Sequence, residues 1–219
     1  MFLNAIENWD DAYANGANIA GGERWPGAWT EPAADYRGRM EAEGRARLDI
    51  AYGDEPRNRL DLFLPRERPR GLVVFVHGGF WMRLDKSFWS HLARGAVDAG
   101  HAVAMPSYTL CPDIPISGIT REIGRAVTMA AGEVAGPIRL TGHSAGGHLA
   151  TRMVCADSPL APDVRNRISH VVSISGLHDL RPLMRTAMNE TLRTDQAQAV
   201  AESPALLEPM AATRLTGWV

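Results

Sequence analysis

Residues 140–148 read LTGHSAGGH and place Ser144 between two glycines, Gly142 and Gly146. Apolar, strand-like residues precede this segment, and a helix-like run follows it from His148 to Cys155. A serine at such a junction can lie on a sharp strand-to-helix turn, with its hydroxyl exposed at the edge of a sheet. Because the strained backbone of that turn crowds its neighbours, glycine is needed on both sides of the serine. The pattern predicts a nucleophilic Ser144 on a nucleophile elbow.

A second motif follows a predicted strand earlier in the chain. Residues 72–76, LVVFV, form a continuous apolar run, which is typical of a strand buried on both faces. The run ends in HGGFW at residues 77–81. In serine hydrolases of the α/β class, the loop after the third strand carries such a His-Gly-Gly element, and its backbone N–H groups help to form the oxyanion hole. We therefore expect the oxyanion-hole donors to be the backbone N–H groups of Gly79, Phe80 and, beside the serine, Ala145.

Composition and charge exclude several classes of protein. The chain has 219 residues, of which 45% are hydrophobic, and this suffices for one full core with at most a small appendage. A formal net charge of -2 and a pI of about 6.4 argue against a nucleic-acid or anionic-membrane partner. The apolar runs are too short for a membrane span, and the first residues lack the pattern of a secretory signal. Cys111 and Cys155 are therefore interpreted as reduced thiols, and a cytoplasmic location is expected.

Two regions differ in their sequence pattern. Residues 1–43 are polar and rich in glycine, with three tryptophans, and two interpretations stay open: a cap or arm over the main domain, or a surface extension. Residues 44–219 read as one domain. They begin with two stretches that alternate like half-buried antiparallel strands, and helices and apolar strands then alternate. This order predicts an α/β fold with a doubly wound, mostly parallel sheet and an antiparallel N-terminal edge. The predicted strands are 48–53, 59–65, 72–76, 101–106, 137–141, 168–175 and 214–219, and the predicted helical regions are 86–99, 118–134, 145–156 and 180–203.

From about residue 45 to 185, the chain resembles the α/β-hydrolase-fold arylformamidases (kynurenine formamidases) and related carboxylesterase-like proteins. The resemblance is carried by residues 52–53, 60–65, 77–81, 108–112, 142–148 and 175–183. It implies the α/β-hydrolase fold and the hydrolysis of a small formyl amide, or of a carboxylic ester, through an acyl-serine at Ser144.

The same resemblance implies a substrate pocket near the His-Gly-Gly loop. Phe80 and Trp81 would wall an apolar pocket for a flat aromatic group, with His77 and Gly78 beside it; for Trp81, ordinary core packing is the alternative. The substrate would be a small molecule, no cofactor is expected, and a homodimer stays open. The seven histidines show no metal-ligand spacing, so no metal site is expected.

The serine needs a base, and its partner residues are not evident in the sequence. In this fold an acid and then a histidine follow the serine along the chain, and the family has them after the two strands that follow the one near Ile168. The predicted strand 214–219 would be the first of these, so we expect a partial chain whose catalytic acid, histidine, C-terminal strand and helix lie beyond Val219. Asp179, next to His178, is the most interesting internal acid, but helix capping is its plainer role. The alternative to an enzyme is a non-catalytic binding protein with this fold.

Overall fold

A seven-stranded mixed sheet forms the centre of the computed structural model, which describes residues 6–210 and 213–218. Its strands are β1 (Ala46–Ala51), β2 (Arg59–Phe63), β3 (Leu72–Val76), β4 (Ala102–Pro106), β5 (Ile138–His143), β6 (Ile168–Ile174) and β7 (Arg214–Trp218). Their order across the sheet is β1-β2-β4-β3-β5-β6-β7. β2 is antiparallel to both β1 and β4, and the other neighbouring pairs are parallel. The predicted mostly parallel sheet with an antiparallel N-terminal edge is confirmed.

Helices cover both faces of this sheet. They are α1 (Trp9–Tyr13), α2 (Asn15–Asn18), α3 (Trp25–Ala42), α4 (Arg94–Asp98), α5 (Ile116–Glu133), α6 (Ala145–Arg152), α7 (Pro162–Arg165), α8 (Asn189–Leu192) and α9 (Gln196–Ala201). Successive side chains of a strand point to opposite faces, and β3 shows the result. Val74 and Val76 join a core with α5 and α6, whereas Phe75 joins a second core with α3 and α4.

Two predicted helical regions are more broken than expected. In place of one helix over 86–99, the chain forms 3₁₀ turns at Lys86–Phe88 and Ser90–Ala93 and then the short α4. The Asp85 carboxylate accepts the Ser87 N–H at 3.0 Å, and such side-chain bonds compete with a continuous helix. The region 180–203 likewise splits into a 3₁₀ turn at Arg181–Arg185, α8 and α9.

The predicted N-terminal arm contains a long helix that its sequence pattern did not show. Residues 1–5 of the arm, and residues 211, 212 and 219, lie outside the described residues. α3 packs on one face of the sheet through Tyr36, whose ring lies 5.2 Å from that of Phe63 on β2. It also contacts the turns after β3 through Trp29, whose ring lies 4.4 Å from that of Trp89. Part of the segment that precedes the domain is therefore bound to it by aromatic packing.

A buried ion cluster joins α3 to the sheet. Asp61 of β2 is fully buried and contacts Lys86 at 3.1 Å and the guanidinium of Arg37 on α3. Lys86 also contacts Asp49 at 2.6 Å. Burial raises the pKa of Asp61, and the two cations counter that effect. Removal of one of the two cations would leave the buried charge of Asp61 only partly compensated.

No helix in the described part of the chain is both long and apolar enough to cross a membrane.

Candidate active site

Ser144 lies on a sharp turn between β5 and α6. Its φ is 54° and its ψ is -120°, a backbone conformation that is strained for any residue with a side chain. The Ser144 N–H donates to the Ile174 carbonyl at 2.8 Å, which fixes the turn against β6. A Cβ at Gly142 would lie 2.2 Å from the Gly146 carbonyl oxygen, and one at Gly146 would lie 2.0 Å from the Val76 oxygen. Both flanking positions therefore require glycine.

The loop after β3 lies directly against this turn. A Cβ at Gly78 would lie 3.2 Å from the Cβ of Ser144. Gly79 has a φ of +123°, and its carbonyl accepts the N–H groups of Met82 and Arg83, both at 3.0 Å. The two sequence motifs thus meet at the carboxyl edge of the sheet, where the sites of α/β proteins form.

The backbone N–H groups of Gly79, Phe80 and Ala145 donate no hydrogen bond to any residue that the structure describes. Ala145 is the first residue of α6, where N–H groups have no partner within the helix. Phe80 has a φ of 55°, so its peptide is turned out of a regular conformation. These groups are free to donate to a ligand beside Ser144.

His77 is buried behind the loop. Its Nδ1 lies 2.7 Å from the Gly78 carbonyl oxygen, and its ring stacks on Tyr108 with 4.3 Å between ring centroids. Burial lowers the pKa of His77 to about 4, so the ring is neutral at pH 7. His77 therefore supports the loop from within the core and does not line the cavity.

The structure places Trp81 in the core and not on a pocket wall. The side chain is fully buried, and its indole N–H donates to His148 Nδ1 at 3.3 Å. His148 Nε2 donates in turn to the Glu202 carbonyl at 2.7 Å. The core-packing alternative for Trp81 fits these contacts, so we assign it no contact with substrate.

A cavity of about 420 Å³ opens at Ser144. One side of the cavity is formed by the loop after β3 and by the turns that follow it. Residues between 15 and 29 form the other side. Four aromatic side chains make its wall: Trp25, Trp29, Phe80 and Trp89. The residues that line it are Asn15, Gly16, Ile19, Gly22, Trp25, Pro26, Trp29, Gly79, Phe80, Arg83, Leu84, Trp89, His91, Leu92, His143 and Ser144.

Sequence reasoning missed the contribution of the N-terminal segment to this cavity. The three tryptophans of residues 1–43 were the available signal, and two of them, Trp25 and Trp29, line the site. Nothing local in the sequence shows which surface an aromatic side chain will cover.

No histidine or carboxylate of residues 6–210 and 213–218 is hydrogen-bonded to the Ser144 hydroxyl. His148 uses both ring nitrogens elsewhere, and burial lowers its pKa to about 3. His178 Nε2 lies 3.1 Å from the Ser173 hydroxyl. The Asp179 carboxylate binds Arg181, including its backbone N–H at 3.0 Å, just before the 3₁₀ turn whose cap residue is Leu180.

β7 ends at the same edge of the sheet that carries Ser144. β5, β6 and β7 are parallel, and the Ser175 N–H donates to the Trp218 carbonyl at 2.6 Å. With a strand spacing of about 4.8 Å, the end of β7 lies about 10 Å from the end of β5 across the sheet.

Within the described residues, no group of three or more histidine, cysteine or acidic side chains could hold a metal ion.

Comparison with known proteins places this geometry in a family. The family model described as BD-FAE matches residues 60–214. A crystal structure of a "putative thioesterase" from Silicibacter sp. TM1040 is 52% identical, with a TM-score of 0.93, and the match covers 98% of this chain and 80% of that one.

The kynurenine formamidases of Danio rerio and Salmo salar are also similar. The first is 32% identical over 163 residues, which cover 72% of this chain and 55% of that protein. The second is 31% identical over 180 residues, which cover 78% and 60%. The chain thus spans a little over half the length of these curated relatives. It belongs to the BD-FAE family, among the arylformamidases and esterases of the α/β-hydrolase fold.

Proposed function

We propose that this chain carries the nucleophile and the oxyanion hole of a serine hydrolase that cleaves a small formyl amide, such as N-formylkynurenine, or a carboxylic ester. One observation supports the proposal above the others. Ser144, in a strained backbone conformation, opens into an apolar cavity beside three N–H groups that have no acceptor among the described residues. Strain of this kind concentrates at functional sites.

In the proposed mechanism, the Ser144 hydroxyl oxygen attacks the substrate carbonyl carbon while a base takes its proton. The N–H groups of Gly79, Phe80 and Ala145 donate to the oxygen that becomes negative, and loss of one such donor typically costs about a hundredfold or more in rate. The leaving amine or alcohol departs with a proton. Water then hydrolyses the formyl or acyl ester of Ser144 and restores the free serine.

We propose that the base and its acid come from residues outside these 219. No described histidine or carboxylate is hydrogen-bonded to the Ser144 hydroxyl. Residues 1–5, 211, 212 and 219 include no histidine or acidic side chain. The curated relatives are longer, and the end of β7 lies near the serine. An acid and a histidine that enter at this edge could complete the site.

A second candidate function is a binding protein that uses the cavity without catalysis. The Ser144 hydroxyl has no hydrogen-bond partner among the described residues. This favours the binding protein, because a serine without a base is a poor nucleophile at neutral pH. The two functions differ in the reactivity of Ser144.

A serine-directed fluorophosphonate separates them. It is applied to the 219-residue chain and to the full product of the gene, each as wild type, Ser144→Ala and Ser169→Ala. Ser169, whose hydroxyl donates to the Ile138 carbonyl at 3.2 Å, is a matched serine on β6. We expect labelling of the longer form, loss of labelling in Ser144→Ala and retention in Ser169→Ala.

Each other outcome has a defined meaning. Labelling that persists in Ser144→Ala contradicts the assigned nucleophile, and an unlabelled longer form favours the binding protein. Strong labelling of the 219-residue chain shows that a base lies within it. Activity of the longer form on N-formylkynurenine and on short p-nitrophenyl esters then identifies the bond that is cleaved.

We also propose a cytoplasmic location. Its support is that Cys111 and Cys155 are both buried, unpaired thiols, as expected in a reducing compartment. The predicted homodimer stays a prediction.

A further inference from the structure

We propose that Arg83 is a specificity-determining residue that binds a carboxylate of the substrate, so that the cavity prefers flat, apolar ligands that carry a negative charge. This inference rests on the proposed function, since it concerns the substrate class of the same cavity.

The described part of the cavity wall is positively charged. Arg83 is the one charged side chain among the described residues that line the cavity, and none of those residues is acidic. The residues outside the described ranges have no acidic side chain either. His91 and His143 also face the cavity, and burial lowers the pKa of each, so both are neutral at pH 7. The local field is therefore positive and attracts an anion.

Arg83 has no acidic partner among the described residues. Some arginines of this chain are paired even near the surface: Arg181, for example, contacts Asp179 at 2.6 Å although both are partly exposed. Arg83 makes no ion pair with any residue in the part of the chain that the structure describes. Its guanidinium lies over the Phe80 ring, 5.1 Å from the centroid. Stacking on a ring face leaves the in-plane N–H donors free for a carboxylate.

The backbone of Arg83 is fixed to the loop of the proposed oxyanion hole. Its backbone N–H donates to the Gly79 carbonyl at 3.0 Å, and its own carbonyl would lie 2.1 Å from a Cβ at Gly79. The backbone of Arg83 therefore has a set position relative to Ser144. A ligand that reaches both residues must carry its carboxylate away from the scissile bond.

The rest of the wall defines the body of that ligand. Trp25, Trp29, Phe80 and Trp89 present apolar aromatic surface, to which a flat apolar group binds well. The cavity thus combines an aromatic wall with one cation, and a positively charged ligand would be disfavoured.

Binding tests this inference without any need for catalysis. The probes are 3-phenylpropanoate and its neutral amide, 3-phenylpropanamide, titrated into the 219-residue chain while tryptophan fluorescence reports binding at the wall. For the wild type we expect the carboxylate to bind about three- to tenfold more tightly than the amide, the ratio that one charge-assisted hydrogen bond at an exposed site supports. The preference should fall as salt is added.

Three variants assign the effect to one side chain. Arg83→Gln should bring the affinity ratio close to one and leave the amide affinity unchanged, whereas Arg83→Lys should keep part of the preference. Arg68→Gln, an equal charge change at an exposed position that does not line the cavity, should keep all of it. Equal binding of the two probes by the wild type, no binding of either, or a preference retained in Arg83→Gln would overturn the inference.

The outcome is distinguishable from that of the proposed function. A carboxylate preference in a protein whose longer form is not labelled at Ser144 supports the role of Arg83 in binding and rejects the hydrolase. Labelling at Ser144 without any carboxylate preference rejects Arg83 alone.

Discussion

Gly78 leaves no room for a side chain beside Ser144, and this close approach joins the two glycine motifs of the sequence. A Cβ at Gly78 would lie 3.2 Å from the Cβ of Ser144 and 2.7 Å from the carbonyl oxygen of His143. Backbone atoms cannot yield as a flexible side chain does, so a methyl group at this position must push the loop and the turn apart.

Gly78→Ala should therefore damage the site more than the fold. We expect fluorophosphonate labelling of the longer form to fall at least about tenfold, because a displacement of the loop near 1 Å misplaces the oxyanion donors. Overpacking should lower the free energy of unfolding by about 1–3 kcal/mol. Labelling at the wild-type rate would show that the loop has no part in the reaction.

Gly38→Ala is the matched control for that variant. Gly38 lies on the exposed side of α3, where a Cβ would meet nothing within 4 Å. Alanine there should raise the free energy of unfolding by about 0.5–1 kcal/mol, since glycine is the poorer helix former.

The buried histidines predict how stability depends on pH. Burial lowers the pKa of His148 to about 3 in the folded protein, whereas an unfolded chain has a histidine pKa of about 6.5. Between these values the unfolded state binds more protons, so stability is present above pH 6.5 and is lost as the pH falls. From pH 7 to pH 5, His148 alone should remove about 2 kcal/mol of unfolding free energy.

Urea unfolding at pH 7, 6 and 5 measures this loss. His148→Gln should be less stable at pH 7, because the hydrogen bonds to Trp81 and to the Glu202 carbonyl are disturbed. Its further loss between pH 7 and pH 5 should be about 2 kcal/mol smaller than that of the wild type. Identical pH slopes in the two proteins would contradict a neutral, buried His148.

The ion cluster around Asp61 should be sensitive to removal of one partner. Lys86→Met leaves the fully buried Asp61 with Arg37 alone, so we expect the free energy of unfolding to fall by about 3 kcal/mol. Arg181→Met, which breaks the more exposed pair with Asp179, should lower the free energy of unfolding far less. Urea unfolding measures both variants. A similar loss of unfolding free energy in the two would mean that burial of the ion pair does not determine the effect of breaking it.

Two tryptophans on one helix should differ in their importance for stability. Trp29 packs against Trp89 with 4.4 Å between ring centroids, whereas Trp25 is 54% exposed. In urea unfolding, Trp29→Ala should lower the free energy of unfolding by about 2 kcal/mol and Trp25→Ala by less than about 1 kcal/mol, because Trp29 buries more of its ring. A larger effect of Trp25→Ala would show that the contact between Trp29 and Trp89 does not anchor the helix.

Residue patterns alone predict the sheet of this protein and the sharp turn that carries Ser144. Alternating apolar and polar residues predict the first strands, and continuous apolar runs predict the later ones. The spacing of the glycines predicts the turn at Ser144. These signals are local, because a strand's alternation and a positive φ depend on neighbouring residues. The broken helix after residue 85 was missed, since its cause is a side-chain bond from Asp85 to the Ser87 N–H and not a change in hydrophobic period.

Contacts between distant segments decide the rest of the site. The same HGGFW motif directs Trp81 into the core, against His148 sixty-seven residues away, and leaves Arg83 two residues later at the cavity. The aromatic wall forms because α3 packs on the sheet and brings Trp25 and Trp29 over Ser144. Which side chain lines a cavity depends on the surfaces that meet there, and those surfaces exist only after the chain has packed.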